Sequence, residues 1–97
     1  MIKSVKLKKS TRKGKKHEAV FTLKDGRKKT THFGAAGMSD FTIHRDKTRK
    51  KNYIARHRKN ENWDDPFSAG ALSRYILWNK ETKKDSLADF KRRFKIR

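Results

Sequence analysis

The side chains of this chain suited to holding a divalent cation are ten carboxylates and four histidines; cysteine is absent. Half of them, Asp40, His44, Asp46, His57, Glu61, Asp64 and Asp65, fall in one stretch. A nuclease needs carboxylates, often with a histidine, converging on Mg²⁺ beside the scissile phosphate. His44-x-Asp46 with His57 has the right residue types for that. The same residues have plainer uses. Asp46 and Asp65 stand where helix N-caps belong, Asp40 follows a Gly-rich turn, and a lone histidine among aromatics is ordinarily a hydrogen-bonded packing residue. There is no Gly-x-x-x-x-Gly-Lys phosphate loop, no His-Glu-x-x-His and no nucleophile elbow. The expectation is therefore a protein that is not an enzyme, with no catalytic residue, metal or cofactor.

The larger chemical resource is positive charge. Twenty-nine Lys and Arg stand against ten Asp and Glu, for a formal net charge of +19 over 97 residues. Charge of that size opposes compaction until a polyanion neutralises it. The candidate phosphate contacts in the N-terminal third are Lys8, Lys9, Arg12, Lys13, Lys15, Lys16, Arg27, Lys28 and Lys29. They suit a β-hairpin or its basic loop following a groove, although lysines also guard soluble edge strands. A second group, Lys47, Lys50, Lys51 and Arg58, falls on one side of a predicted helix. Arg49 and Arg56 are expected to pair with Asp46, Asp64 or Glu61 instead. Most of these bases are lysine, a point charge poorly suited to bidentate base reading, so the contacts expected are to phosphate without sequence preference. No RNA-recognition strand signature with paired aromatics is present, which favours DNA over RNA. A membrane partner is not expected, because no run approaches the ~18 apolar residues of a spanning helix and no lipidation motif is present.

Phe41, Tyr53, Trp63, Phe67, Tyr75 and Trp78 could stack on unpaired bases. Their helical spacing points to core packing instead. Trp63, in a polar segment, is the least securely buried of them.

These groups need elements to position them. Val5 and Leu7 alternate with lysines, and Ala19, Phe21 and Leu23 repeat the two-residue period of a strand. Asp25-Gly26 predicts a type I′ hairpin turn, and Arg27 to Phe33 the returning strand. A polar, flexible loop over residues 10–16 joins the first two strands. Gly34-Ala35-Ala36-Gly37 ends the sheet. Three short helices follow: Asp46 to about Lys59; one opening at Asp65-Pro66 and carrying Phe67, Ala71, Leu72, Tyr75, Ile76 and Trp78; and one opening at Thr82 with Leu87, Phe90 and Phe94 on one face. The fold class expected is α+β, a three-stranded antiparallel meander packed on three helices in one domain. Residues 1–33 form the meander, 38–94 the helical part and 95–97 a flexible tail.

The charge is uneven, with twelve bases and two acids in residues 1–33, a net of +10. The N-terminus lacks the apolar core of a secretory signal, and the lack of cysteine excludes disulfides and thiolate metal sites. An intracellular protein is expected. A domain this small typically reaches only ~3–5 kcal/mol from its core, so a homodimer that buries more aromatic surface is a possible partner state.

Several irregular strings, His32-Phe33-Gly34, Gly37 to His44, Tyr53 to Arg58, Glu61-Asn62-Trp63 and Ala69 to Lys80, occur together. Over residues 32–94 the chain resembles a small protein family, a domain of unknown function, encoded by large double-stranded DNA viruses of amoebae and algae. The resemblance implies a viral origin, a place in the virion or in the host cytoplasm or nucleus during infection, and no catalytic residue. Together with the charge it gives the expected function: a sequence-nonspecific DNA-binding protein serving genome packaging or condensation. The competing expectations are an interaction protein for RNA or an acidic partner, and a metal-dependent nuclease.

Overall fold

A computed structural model describes residues 2–96. Strands β1 (Ile2–Lys9), β2 (Lys15–Leu23) and β3 (Lys28–Ala35) form an antiparallel sheet in the order β1-β2-β3. Val5 pairs with Phe21 and Leu7 with Ala19, while Ala19 pairs with Thr31 and His17 with Phe33. Because side chains alternate across a strand, this register puts Val5, Ala19, Phe21 and Phe33 on one face, where all four are buried. Ser4, Lys6, Lys8, Glu18, Val20, Thr22, Lys28, Thr30 and His32 share the other face.

Four short helices follow among the described residues: α1 (Phe41–His44), α2 (Lys47–His57), α3 (Ala69–Leu72) and α4 (Lys83–Arg93). The chain of α3 continues as a π-helical turn over Ser73–Leu77, closed by Trp78 N–H on the Ser73 carbonyl at 3.1 Å. Leu72, Ile76 and Leu77 from this segment, Phe90 from α4 and Ile96 meet the apolar sheet face in one core. Phe67 packs edge-on against Phe21 with ring centroids 4.9 Å apart, and the Thr31 hydroxyl donates to the Phe67 carbonyl. No helix among the described residues is long and apolar enough to cross a membrane.

The caps explain where the helices begin. Asp46 accepts from the amides of Thr48 and Arg49, and Thr82 accepts from Asp85, each satisfying an orphan donor of the first turn. Both starts are those expected from the sequence. The extra helix, α1, is a single turn that Asp40 opens by accepting from Thr42 N–H and that ends at Arg45 with φ 53°. Four residues are too few to carry a helical period.

Other expectations need correction. The helix predicted from Asp65-Pro66 begins at Ala69, with Ser68 as its cap. Asp65 instead accepts from Phe67 N–H and its carbonyl from Ser68 N–H, so the Asp-Pro pair opens a turn, a role open to proline at the second turn position as well as at a helix start. The hairpin is not type I′. Leu23 N–H bonds to the Arg27 carbonyl around a three-residue loop in which Gly26 has φ 91°, the turn-plus-bulge alternative to the two-residue loop. The tail at 95–96 is not free. Ile96 is 7% exposed, its N–H bonds to the Lys91 carbonyl and that of Lys95 to Arg92, with Lys95 at φ 57°. That is a Schellman closure of α4, and it turns Ile96 back into the core; Arg97 lies outside the described residues.

The loop over residues 10–14 is not loose either. Thr11 donates through its amide and hydroxyl to Glu18, and the Ser10 hydroxyl lies 2.7 Å from His32 Nδ1. Lys15 and Lys16, assigned to that loop, are the first residues of β2.

Candidate nucleic-acid interface

The register sets Lys9 opposite His17 and Lys8 opposite Glu18, so β1 ends beside the start of β2. The first turn of α4 docks against that same end. Between them lies a cleft whose walls carry Lys8, Lys9, Lys15, Lys16, Lys83 and Lys84, over an apolar floor including Leu7 and Leu87. No carboxylate among the described residues lines it. His17 is the cleft's other titratable group, and its pKa is lowered, first by burial and then by the positive charges of Lys83 and Lys16. A neutral imidazole is the expected response to a site already crowded with cations.

Lys83 and Lys84 were not among the sequence candidates. They occupy the first turn of an eleven-residue helix, where the macrodipole disfavours positive charge. Two lysines set against the dipole were the signal that could have found them.

The other candidates separate. Lys16 Nζ donates to the Met38 carbonyl and pairs with the Asp40 carboxylate, which is 2% exposed. Burial acts to raise the Asp40 pKa, but hydrogen bonds from Lys16 and Thr42 outweigh it and hold the carboxyl below its usual value. Lys16 is therefore a strut between β2 and the segment leading into α1. Arg12 and Lys13 are exposed in the loop beside the cleft. Arg27, Lys28 and Lys29 lie at the other end of the sheet, seven residues along β2 by register, about 23 Å away. Arg27 pairs with Asp25 at 2.6 Å, and Lys29 Nζ sits 4.6 Å over the Phe67 ring.

On α2, Lys47 and Lys51 are exposed around Phe41 and Ile54, and Arg58 is exposed at the helix end. Lys50 is drawn inward. Its Nζ donates to the Asn79 carbonyl at 2.7 Å and lies 4.9 Å over Phe41. Burial and then the Arg74 charge lower its pKa. Arg74 Nη1 donates to the Trp78 carbonyl, so two cations close the carbonyl end of the π-helical turn, where positive charge is favoured. Arg49 and Arg56 form none of the ion pairs expected of them among the described residues; Asp46 caps α2, and Glu61 lies 3.6 Å from His57.

The acid and histidine set is dispersed. Among the described residues no three His, Asp or Glu side chains stand close enough to hold a metal ion. His44 Nδ1 accepts from Asp46 N–H at 2.9 Å while its ring packs 5.2 Å from Trp78. Tyr53 and Trp78 stack nearly parallel with centroids 4.3 Å apart, and His57 covers the Tyr53 ring at 4.2 Å. These faces cover one another rather than lying open to a base. Burial, with the nearby Glu61 charge, raises the Tyr53 hydroxyl to about 12.

A family model described as a family of unknown function (DUF5754) matches residues 5–57, from Val5 in β1 to the last residue of α2. The match takes in one wall of the cleft and leaves Lys83 and Lys84 outside. No curated protein and no solved structure matches the chain.

Proposed function

The chain belongs to the DUF5754 family of unknown function, and we propose that it is a sequence-nonspecific DNA-binding protein that holds the phosphate backbone. The observation that carries this reading is the lysine-lined cleft without a carboxylate, built from the ends of β1, β2 and α4, in which Lys16 is taken up by Asp40 and the exposed Lys9, Lys15, Lys83 and Lys84 remain for phosphate. Phosphates entering it would meet Lys9, Lys15, Lys83 and Lys84 as point charges, with Arg12 and Lys13 beside them. Contacts of that kind position a duplex and carry no sequence information. Association with a virion and a part in packaging or condensing a viral genome belong to the same proposal. They rest on the charge excess and on the resemblance of residues 32–94 to proteins of large DNA viruses.

Gel-shift titrations of duplex DNA, single-stranded DNA and RNA at two salt concentrations, with and without Mg²⁺, test the reading. Duplex binding that weakens steeply with salt, loses strength with Mg²⁺ by competition and yields no cleavage supports it. Preference for RNA, or binding only to an acidic protein, would replace it with an interaction module. Strand cleavage requiring Mg²⁺ would make the protein a nuclease.

A further inference from the structure

A second cleft repeats this chemistry at the far end of the sheet. Lys3, Lys24 and Lys95 surround Ile2 there, and no carboxylate among the described residues lines it. The fold determines the relation between the two sites. β1 runs from Ile2 to Lys9, and α4 returns from Lys83 toward Lys95, so each cleft is framed by one end of each element. Lys3 to Lys9 spans about 20 Å of extended strand. The apolar core, with Phe21 and Phe90 in contact range at 6.5 Å between centroids, lies between the two ends. That separation is roughly twice the ~8–10 Å screening length of physiological salt, so filling one cleft leaves the charge of the other largely uncompensated.

We propose that one copy of this protein bridges two nucleic-acid duplexes, one held at each end of the β1–α4 layer. This rests on the reading of the lysine cleft as a phosphate site, and adds that a second, electrostatically independent site faces away from it. The body measures 41 × 28 × 25 Å, so the bridged duplexes would lie close together, as condensation requires.

The test is capture of a fluorescent duplex by a second duplex held on beads, at about 100 mM salt. The full chain should capture it. The near-end variant (Lys9, Lys15, Lys83 and Lys84→Gln) and the far-end variant (Lys3, Lys24 and Lys95→Gln) should each still shift a single duplex in a gel. Each should lose capture by about tenfold or more. Thermal melting of each variant checks that it is folded, because a chain of this charge binds DNA whether folded or not. A charge-reduced control at exposed positions, Arg49, Lys59 and Lys80→Gln, should keep capture. Parent protein that binds one duplex yet captures no second overturns bridging and leaves the phosphate reading standing. A single-end variant that captures as well as the parent also overturns it, assigning the bridge to a dimer with one cleft per copy. Parent protein that binds no duplex sinks the phosphate reading itself, and bridging with it.

Discussion

The amide and hydroxyl of Thr11 both donate to the same oxygen of Glu18, at 3.1 and 3.3 Å. Glu18 is 7% exposed on the sheet face away from the helices, and His32 Nδ1 approaches that oxygen at 3.8 Å. A carboxylate set among lysine-rich strands thus serves to clip the basic loop onto the sheet. Glu18→Ala should release the Thr11 amide and hydroxyl, which lie at an exposed position, to water and cost about 0.5–1.5 kcal/mol. Trypsin should then cut after Arg12 or Lys13 much faster than in the parent, read by mass spectrometry. Equal cleavage rates would mean that something else holds the loop.

Adjacent lysines should behave oppositely. Lys16→Ala leaves the buried Asp40 carboxylate without its cation and should cost about 2–3 kcal/mol, below the cost of a fully buried pair because Thr42 still donates to Asp40. Lys15→Ala, at an exposed position, should change stability by less than about 0.5 kcal/mol while weakening duplex binding. Denaturant midpoints of the two variants decide this. The Asp40 pKa is depressed, so its contribution is present above the unfolded value and lost as pH falls through the lower folded one. Parent stability should therefore drop below about pH 4, and the Lys16→Ala curve should be flatter there.

His17 reports on the cleft. Its folded pKa lies below that of an ordinary imidazole, so the unfolded chain binds the extra proton in the window between the two. Stability of the free protein should then rise with pH through that window and be lost as pH falls below it. Phosphate in the cleft would offset the charges of Lys83 and Lys16 and raise the His17 pKa. The imidazole resonances of His17, titrated by NMR with and without duplex, should show an upward shift on binding. No shift would place the duplex elsewhere.

Salt dependence measures how much of the charge is used. With about six to ten phosphate contacts, the logarithm of the binding constant should fall with the logarithm of salt at a slope of about −5 to −9. Replacing Lys9, Lys15, Lys83 and Lys84 with Gln should make the slope shallower by about 3–4. The same loss of charge at Lys47, Lys51 and Arg58 tests the α2 surface independently. A parent slope of about −1 or −2 would mean that most of the charge is not directed at DNA.

Trp78 is half-buried against the core, with its ring covered by Tyr53 and approached by His44. Trp78→Ala should cost about 2–3 kcal/mol, less than full removal of a buried aromatic because part of the ring already meets water. Unchanged thermal melting would show that the stack contributes little and would free Trp78 for another role.

The parts of this protein legible in its sequence depend on near neighbours. Alternation at Val5, Leu7, Ala19 and Phe21 specifies strands whatever they later pack on. The oxygens of Asp46 and Thr82 find amides two or three residues ahead of them. The excess of positive charge, and the preference for a polyanion that it implies, needs no fold at all. Where one local signal serves two structures, as at Asp65-Pro66 and Asp25-Gly26, the sequence left the choice open and packing made it. The site is different in kind, because a cleft's field is a sum over charges that only tertiary structure assembles. Lys83 and Lys84 reach Lys9 and Lys15 because α4 buries Phe90 against Phe21 and runs antiparallel to β1. Lys16 and Lys50 look like their neighbours in the sequence, yet Asp40 and the Asn79 carbonyl hold them inside the fold. Arg27, Lys28 and Lys29 are carried to the far end of the sheet by the length of β2. Burial of the apolar sheet face decides where α4 and its lysines sit, and it acts between residues that no local pattern connects.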